Sequence, residues 1–575
     1  MGEKLFSSEI LFGRYTGTMD IKSQLEVETK FSVDTDIEAP DIAAIKFVQG
    51  SKSTEIHTMS AIYFDTEDLR LTRAKITLRH REGGNDPGWH LKLPAEGGRI
   101  EMHVPCETRG EIPAELLTPV RSLIRHHELV PVVQIDNDRF ETQLLDGTGQ
   151  TILELCDDHV TSWCFLTGGD HKVWREWETE VTAYAQEQGI ADELLRSATQ
   201  VLVRAGAKKS SIPSKLLSAL GGAVDLAPMP STIHDVDPSS PAGVVLQAVV
   251  RNRDKIVRFD PKVRRDEPDA VHQMRVATRE MRSHLRTFDG IVIGEKPKAL
   301  ELKLKKLAQI LGDVRDLEVI AERFDKLFTL EITGIVTDEL KEHLRSKVKE
   351  DYEAAFQRAI RALDDDRYLE LLDELDDFIA HPEFSEVATL PIPTDFDDKD
   401  DKSEKKKDKK RHKDAKNKSK KDKKKDSRPE LPPALVLLRK HLDLAYEQMK
   451  QRHVQALESA FELDIPLVER EAGFHNMRKS AKKVRYAAEA IGDSAYLDTT
   501  KLYKACKELQ EVLGEFQDSV TARERLHKYA EAAHRRGEDT FPYGVLFALE
   551  HQLGMKALSE YTDAFADVEK AYRKM

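Results

Sequence analysis

The sequence predicts a multidomain α+β protein in which an antiparallel β domain comes first and an all-helical region follows it. Residues 20–183 form short runs of alternating polar and apolar residues, separated by Gly, Pro, Asp and Asn, which is typical of an antiparallel sheet or barrel. After Ser239 the runs are long, have helical period and contain almost no Gly, which indicates helices. The chain has 575 residues, enough for several packed cores.

Changes in composition place the boundaries between these regions. The apolar period becomes helical from about residue 185 to 220, so the β domain ends with helices of its own. The stretch after it is rich in Gly and Pro, which indicates a linker. A Lys-, Asp- and Ser-rich stretch interrupts the helical region and has too few apolar residues to fold, so we expect it to be disordered. The predicted segments are an N-terminal extension at 1–19, the β domain at 20–220, the linker at 221–238, a first helical repeat at 239–390, the insertion at 391–430 and a second helical repeat at 431–575.

The helical region contains an internal repeat. The segment HQMRVATREMRSHL at 272–285 is matched by HNMRKSAKKVRYAA at 475–488, and LGDVRD at 311–316 is matched by LGEFQD at 513–518. The two offsets are 203 and 202 residues, so the separation between the segments is almost unchanged. Agreement in both residue type and spacing indicates a duplicated helical unit.

The charge of the chain is distributed unevenly. Its formal net charge is −14, yet residues 401–425 carry 15 Lys and Arg against 5 Asp and Glu, so the remainder of the chain is at −24. A negative sum therefore does not exclude a polyanionic ligand, because such a ligand is recognised by local groups of basic residues.

Two further observations bear on the compartment. No run approaches the roughly 18 apolar residues of a membrane helix, and the N-terminus lacks the apolar core of a signal peptide. The four cysteines form no CxxC pair, which argues against a disulfide framework and a structural zinc site. We therefore expect a cytoplasmic protein with reduced cysteines and no membrane partner.

Charged residues alternate along several of the predicted strands. Glu26, Glu28 and Lys30 leave one face of their strand while apolar residues leave the other. The same alternation recurs at Arg79 and Arg81, at His90 and Lys92, and at Glu176, Glu178 and Glu180. One such strand is typical of a solvated sheet face, but several strands with both carboxylates and basic groups favour the polar inside of a barrel.

The mixture of side chains indicates the ligand. Carboxylates recruit Mg²⁺ or Mn²⁺, and Arg and Lys pair with phosphate oxygens, so together they predict a site for a polyphosphate and a metal ion. The chain has no GxSxG, HExxH or Walker motif, so a serine hydrolase, a zinc protease and a P-loop enzyme find no support.

An ordered set of motifs over residues 20–218 resembles the CYTH family of triphosphate tunnel metalloenzymes. The motifs are ExExK at 26–30, YFDT at 63–66, TLRHR at 77–81, Lys92, Arg139, ELCDD at 154–158, ETE at 178–180 and Lys215. ExExK alone is a weak pattern, but the ordered set is specific. The resemblance implies an eight-stranded antiparallel β tunnel with flanking helices, and an activity that hydrolyses inorganic triphosphate or thiamine triphosphate or cyclises ATP.

The same resemblance implies roles for individual residues. Glu26, Glu28, Glu178 and Glu180 would hold Mg²⁺ or Mn²⁺, and Lys30, Arg79, Arg81, Lys92, Arg139 and Lys215 would bind the triphosphate. Glu154 and Asp157 would lie near a second metal or the attacking water, and with Glu26, Glu28 and Lys30 they complete the catalytic set. No strand carries an evident aromatic residue for recognising a base, so inorganic triphosphate is the favoured substrate.

Basic residues line one face of a predicted helix in each helical repeat. His272, Arg275, Arg279 and Arg282 are spaced by three, four and three residues, which places them on one face. His475, Arg478, Lys482 and Arg485 match them in the second repeat. A single basic face is usually only solvated, but repetition within an acidic protein favours a shared groove for a polyanion.

These helices resemble the CHAD family over roughly residues 238–570, with the Lys-rich insertion as an interruption. The resemblance implies two helical bundles whose basic helices bind inorganic polyphosphate through the eight residues just named. Glu280 departs from the family, which usually has a basic residue there. Nucleic acid is a minor alternative, because the helices lack the interleaved aromatic residues that stack bases.

The sequence therefore predicts a cytoplasmic, metal-dependent triphosphatase joined to a polyphosphate-binding domain, with an association with polyphosphate granules as one consequence. A non-catalytic polyphosphate-binding scaffold is the main alternative. A class IV-type adenylate cyclase and a thiamine triphosphatase are two others, and analysis of the reaction products separates them.

Overall fold

The computed structural model describes residues 22–95, 97–106, 108–229, 236–391, 433–462, 464–492 and 497–575. The chain divides into two compact units, one of Met1–Pro230 with Asp260–Glu267 and one of Ser231–Phe259 with Pro268–Met575. The predicted extension at 1–19, the middle of the predicted linker and the insertion from 392 to 430 lie outside the described residues. Residues 260–267, which lie within the predicted first helical repeat, are grouped with the first unit.

The first unit contains one antiparallel sheet. Its strands are β1 (Lys22–Glu26), β2 (Glu28–Val33), β3 (Gly50–Ser51), β4 (Glu55–Asp65), β5 (Thr77–Gly83), β6 (Gly88–Ala95), β7 (Gly98–Pro105), β8 (Val130–Leu145), β9 (Thr151–Cys164), β10 (His171–Val181) and β11 (Lys208–Lys209). Their order is β1-β7-β6-β5-β4-β8-β9-β10-β2-β11, with β3 paired to β8.

Strand β1 at one end of the pairing order and β2, next to β11 at the other end, belong to the same run of chain. Strands β1 and β2 are separated only by Val27, and β1 pairs with β7 while β2 pairs with β10. The amide of Val181 also donates to the Val27 carbonyl oxygen at 3.0 Å. Apart from the two-residue β3 and β11, eight long runs in the described part therefore curl around a common interior, and the prediction of an antiparallel α+β fold is confirmed.

Alternation along the strands separates a charged inner face from an apolar outer face. On β10, Glu178 faces inward while Trp177 is buried on the other side of the sheet. Trp177 packs in a core with Phe31 of β2 and with Leu194 and Ala198 of a helix. The outer face of the sheet is thus covered by helices, and the charges are left for the interior.

The helices of the first unit are α1 (Arg70–Arg73), α2 (Ala114–Leu117), α3 (Arg121–Ile124), α4 (Ala183–Glu187), α5 (Ala191–Arg204), α6 (Lys215–Leu220) and α7 (Ala223–Leu226). Helix α6 begins where the Ser214 side chain accepts the Leu217 amide at 3.2 Å, a standard N-cap. Its apolar residues Leu216 and Leu220 pack against Val132 of β8, which fixes Lys215 at the helix start.

Long helices make up the second unit. They are α8 (Pro241–Arg264), whose last residues belong to the first unit, α9 (Ala270–Thr287), α10 (Lys296–Leu330), α11 (Asp338–Asp364), α12 (Asp366–Ala380), α13 (Pro433–Phe461), α14 (Leu467–Gly492), α15 (Thr500–Arg535), α16 (Phe541–Leu558) and α17 (Tyr561–Tyr572). No helix in the described ranges is long and apolar enough to cross a membrane.

The two halves of the second unit pack on each other through equivalent helices. Helix α9 contacts α14, and α10 contacts α15, in keeping with the repeat in the sequence. Arg323 of α10 is buried and pairs with Glu515 of α15 at 3.1 Å and with Glu550 of α16. The matched basic helices of the two repeats are therefore neighbours in the fold.

Candidate functional site

The curled sheet encloses a cavity of about 300 Å³. Side chains from all eight long runs of strand line it, together with Ser214 and Lys215 at the start of α6. Eleven residues that we predicted for this site are among them: Glu26, Glu28, Lys30, Arg79, Arg81, Lys92, Arg139, Glu154, Glu178, Glu180 and Lys215.

One part of the cavity is a saturated ion network around Lys215. Its Nζ lies 2.8 Å from Asp158, 2.7 Å from Glu176 and 2.9 Å from Glu178. Arg139 donates to both oxygens of Asp158 at 2.8 and 2.9 Å and to Glu178 at 2.9 Å. Although burial opposes it, Lys215 and its neighbouring cations keep the pKa of Glu178 and of Asp158 below the usual range. These carboxylates are therefore ionised and already neutralised.

A second group of contacts surrounds Lys92 and Arg79. Lys92 Nζ donates to both oxygens of Glu26 at 2.8 and 2.6 Å and lies 3.5 Å from Glu101. Arg79 donates to the Tyr63 hydroxyl at 3.3 Å and to Glu101 at 3.5 Å. The Nε atoms of Arg79 and Arg81 are buried and have no acceptor among the described residues. A buried guanidinium donor without an acceptor indicates room for an anionic ligand.

Three carboxyl groups on adjoining strands are incompletely neutralised. Burial raises the pKa of Glu26 to about 8, partly offset by Lys92, and raises the pKa of Glu180 to about 7. Burial, followed by repulsion from Glu178, also raises the pKa of Glu28. Such groups lose a proton more readily when a cation is beside them, so this part of the cavity fits a divalent metal ion.

A second set of three carboxylates, Asp158, Glu176 and Glu178, has its oxygen atoms grouped closely together. Ligand atoms of Asp158, Glu176 and Glu178 all lie within 4.8 Å of one another. The ammonium of Lys215 contacts all three carboxylates, so it already occupies the position of a cation there. The chemistry of the donors therefore favours Glu26, Glu28 and Glu180 as metal ligands. Glu178, which we predicted as a ligand, is engaged by Lys30, Arg139 and Lys215.

The structure corrects the prediction for Asp157. This residue does not line the cavity, and Arg175 donates to its two carboxylate oxygens at 2.9 and 2.7 Å. Side chains two apart on a strand share a face, so Glu154 and Asp157, which are three apart, lie on opposite faces. Asp158 is the inward-facing residue, and it is completely buried.

The second unit has a cavity of about 430 Å³ between helices α9, α13 and α14. Seven basic side chains line it, and no Asp or Glu is among its described lining residues. The basic residues are Arg279, Arg282, Arg286, Arg452, Lys479, Lys482 and Lys483. A wall of cations without carboxylates favours a polyanion.

The repeat places an arginine over a glycine in both halves. Arg275 donates to Asp316 at 3.2 Å and lies beside Gly312, where an added Cβ would be 3.5 Å from its Nε. Arg478 lies beside Gly514, where an added Cβ would be 3.2 Å from its Nη2. These glycines belong to the repeated LGDVRD and LGEFQD segments, so that motif provides space for the arginines.

The other predicted pair of arginines is more strongly held by neighbours. Arg282 donates to Glu301 at 3.1 and 2.7 Å. Its counterpart Arg485 lies 3.7 Å from Glu280 and over the Tyr486 ring at 4.6 Å. Glu280, the departure noted in the sequence, is thus a counterion of Arg485 and reduces the charge available there.

Five of the eight residues predicted on these helices are not among the described lining residues of the cavity: His272, Arg275, His475, Arg478 and Arg485. His475 Nδ1 is 2.7 Å from the Gln517 carboxamide oxygen, and Nδ1 of His272 is buried without a partner in the described residues. Burial and nearby cations lower the pKa of both histidines. They are therefore neutral at pH 7 and available as hydrogen-bonding groups.

Comparison with known proteins decides the family. A model of the CYTH domain matches residues 24–208 and a model of the CHAD domain matches residues 247–527. The Mycobacterium tuberculosis protein MT2285 of strain CDC 1551 / Oshkosh is 33% identical over 564 residues, which cover 96% of this chain and 97% of that protein. Rv2226 of strain H37Rv matches equally. The chain belongs to the CYTH–CHAD two-domain proteins.

Two solved structures are similar to parts of this chain. PptA from Streptomyces chartreusis has 14% identity and a TM-score of 0.43, and the match covers 57% of this chain and all of that one. The CHAD domain from the plant Ricinus communis has 19% identity and a TM-score of 0.40, and the match covers 60% of this chain and 96% of that one.

A CYTH domain indicates a tunnel-fold enzyme that acts on triphosphates or nucleotides, and such domains generally use divalent metals. In the CYTH cavity sequence reasoning missed Glu101 and Asp158. Asp158 is four positions from Glu154 on β9, and Glu101 is two positions from both Arg99 and His103 on β7. Residues an even number of positions apart share a face of the strand, so the alternation in the sequence indicated both residues.

The CHAD cavity also contains residues that the repeat did not indicate. Helix α13 contributes Gln448, Gln451, Arg452 and Gln455 to one wall. Their spacing places them on one helix face, but only the fold shows that this face meets α9 and α14.

Proposed function

We propose that the CYTH domain hydrolyses inorganic triphosphate with Mg²⁺ or Mn²⁺ and that the CHAD domain binds inorganic polyphosphate. The observation that carries the first part is the division of charge inside one cavity. Arginine donors without acceptors lie in the same small volume as carboxyl groups that lack sufficient cations. A chain of phosphates with a divalent ion satisfies both needs together.

The basic side chains would bind and orient the substrate. Arg79 and Arg81 can each direct a buried Nε at a phosphate oxygen, and Lys30, Lys92 and Arg139 line the same volume. Tyr63, Glu101 and Asp158 hold these cations in place before substrate arrives. Preorganised positive charge stabilises the charge that develops on the transferred phosphoryl group.

Carboxylates on three strands would hold the metal. Glu26, Glu28 and Glu180 fit that role because their charge is undercompensated. When bound, a divalent ion at these residues neutralises phosphate charge and lowers the pKa of a bound water.

Glu154 is suited to accept a proton from the attacking water. It lines the cavity, and burial followed by repulsion from Glu141 raises its pKa. A general base works best when its pKa is near the working pH. In-line attack by water on the terminal phosphorus requires no covalent intermediate.

The lining favours an inorganic substrate over a nucleotide. Tyr63 is buried at 4% exposure with its hydroxyl accepting from Arg79, and no tryptophan is among the described lining residues. Trp89 is buried on the opposite face of the sheet. A base or thiazole ring would have few surfaces on which to stack.

The second part rests on the CHAD cavity. Burial, followed by repulsion from Arg275 and Arg478, lowers the pKa of Arg279 to about 10. A bound polyanion would offset this repulsion between the cations. Binding of long polyphosphate would also associate the protein with polyphosphate granules. Tyr486 is the one aromatic side chain among the described lining residues, so the cavity lacks the row of aromatic residues that stacks successive bases, which disfavours nucleic acid.

The test compares three substrates with product analysis. Full-length protein with Mg²⁺ or Mn²⁺ is given inorganic triphosphate, thiamine triphosphate or ATP, and long-chain polyphosphate binding is measured in the same preparations. We expect phosphate release to be fastest from inorganic triphosphate. Cyclic AMP and pyrophosphate from ATP would instead identify a cyclase. Polyphosphate binding without turnover of any substrate would leave a non-catalytic scaffold.

A further inference from the structure

Lys482 occupies an unusual position on helix α14. It lines the CHAD cavity, and the charged groups that act on it most strongly are the cations Arg279, Arg478, Arg275 and Arg485. No carboxylate lies within ion-pair distance of its Nζ in the described part of the chain. Repulsion from these cations favours the unprotonated form of an amine in this position.

The repeat shows what is special about this amine. The residue that matches Lys482 in the first repeat, 203 positions earlier, is Arg279. Between pH 7 and pH 9 the guanidinium of Arg279, with a pKa of about 10, stays mostly charged, whereas a lysine amine can lose its proton. The second repeat therefore places a group that can lose its proton in this range where the first repeat has a group that keeps its charge.

We propose that Lys482 is a reactive amine that is unprotonated in the empty CHAD cavity and takes up a proton when a phosphate chain binds. This rests on the proposed binding of polyphosphate. In the empty cavity the free amine would also condense with a small aldehyde that carries a phosphate group, which the surrounding arginines would bind.

The charged groups around Lys482 come from five helices. The basic ones are Arg275, Arg279, Arg282 and Arg286 on α9, Arg452 on α13, and Arg478, Lys479, Lys483 and Arg485 on α14. Four carboxylates lie next to cations of this set and not within ion-pair distance of Lys482. Asp316 and Glu301 on α10 pair with Arg275 and Arg282, Asp518 on α15 lies beside Arg478, and Glu280 on α9 pairs with Arg485. Tyr486 of α14 also lines the cavity.

The sign of the pH effect follows from this arrangement. Burial, followed by repulsion from Arg279, Arg478 and Arg275, lowers the pKa of Lys482 well below its ordinary value. A bound polyanion reverses the local field and raises that pKa. Between the two pKa values binding takes up a proton, so affinity falls as pH rises, by at most about tenfold per pH unit for this one group.

The condensation balances without any further reactant. The lone pair of Lys482 Nζ attacks the aldehyde carbon, and a carbon–nitrogen double bond forms. The carbonyl oxygen leaves as water with the two protons of the amine. Only the unprotonated amine can start this reaction.

The first experiment measures proton uptake. Long-chain polyphosphate is titrated into the full-length protein by calorimetry at pH 7 and at pH 9, in two buffers with different ionisation enthalpies. The matched variant is Lys482→Arg, which installs the residue of the first repeat. We expect wild-type protein to take up a proton and to lose affinity at pH 9, and the variant to lose that uptake and bind more tightly than wild type at pH 9. Equal proton uptake in both proteins would overturn the proposal.

The second experiment does not depend on polyphosphate binding. Full-length protein is treated with pyridoxal 5′-phosphate, reduced with borohydride and mapped by peptide mass spectrometry, with Lys479→Arg as a folded comparison. We expect Lys482 to be modified first, and the Lys482→Arg variant to lose that label. Labelling of other lysines with Lys482 untouched would overturn the assignment of the amine. If Lys482 is labelled in a protein that binds no polyphosphate, the proposed polyphosphate binding is refuted, and the assignment of Lys482 as a reactive amine is supported.

Discussion

At the scale of single residues, Glu178 and Glu180 show how two carboxylates on one face of a strand acquire opposite properties. Glu178 contacts Lys30, Arg139 and Lys215, and it is ionised. Glu180, one inward position along β10, has no such partner among the described residues, and burial raises its pKa to about 7. The sequence pattern predicts that both face the cavity, but the difference depends on cations supplied from distant strands and from α6.

The alternation of side chains between the two faces of a strand also explains which site residues could be predicted from the sequence and which could not. Alternation identified the inward positions on β1, β2, β5, β6 and β10, and the same rule would have chosen Asp158 over Asp157 on β9. The saturated network around Lys215 could not be predicted, because it depends on how α6 packs against the sheet.

We predict that Asp158→Asn destabilises the protein. Asp158 is fully buried and bonded to Arg139, Lys215 and the Asn137 amide, so its loss leaves buried cations partly unpaired. The expected loss in free energy of unfolding is about 3 kcal/mol, measured by urea denaturation. Because the pKa of Asp158 is lower in the folded chain, this stabilisation is complete above about pH 4 and disappears at lower pH.

The matched control for that variant is its sequence neighbour. Asp157→Asn removes a partly exposed pair with Arg175 on the other face of the sheet, and we expect a loss below about 1 kcal/mol. Equal losses in the two variants would contradict the assignment of Asp158 to the network.

At the scale of elements, the proposed metal site combines β1 and β2, which follow each other in the chain, with β10, which pairs with β2. No single strand supplies enough carboxylates, and the proposed site depends on β1 and β2 being consecutive halves of one run. That run is evident in the sequence as ExExK, whereas the contribution of α13 to the CHAD cavity is not, because α13 carries no part of the repeated motif.

We predict that affinity for Mg²⁺ or Mn²⁺ rises with pH. Glu26 has a pKa of about 8 and Glu180 a pKa of about 7 without metal, so at pH 6 both are protonated and must release protons to bind a cation. Calorimetric titration of metal into the protein at pH 6, 7, 8 and 9 should show affinity increasing and levelling off above pH 8. An affinity independent of pH would remove these two residues from the metal site.

At the scale of the whole molecule, the two units carry different chemistry. The CYTH unit combines cations with carboxylates in one cavity, whereas the described lining of the CHAD cavity is basic without carboxylates. The division into these units and the duplication were predictable from composition and from the repeat offset. The grouping of residues 260–267 with the first unit was not, since nothing in their composition marks it.

We predict that the double variant Arg275→Ala, Arg478→Ala weakens polyphosphate binding and leaves triphosphate hydrolysis unchanged. Both arginines belong to the CHAD helices, and neither lines the CYTH cavity. Binding of wild-type protein should weaken steeply with salt, and the slope of log affinity against log salt should be shallower in the variant. Unchanged affinity at low salt would contradict a role for these residues.

The most direct test of the account is phosphate release from inorganic triphosphate by the full-length protein with Mg²⁺ or Mn²⁺, compared between wild type, Glu26→Gln and Asp157→Asn. We expect Glu26→Gln to lose about 100-fold or more in turnover because it removes both a metal ligand and the partner of Lys92, and to keep its polyphosphate binding. Asp157→Asn, outside the cavity, should turn over like wild type. Full turnover in Glu26→Gln would contradict the metal site and with it the proposed triphosphatase.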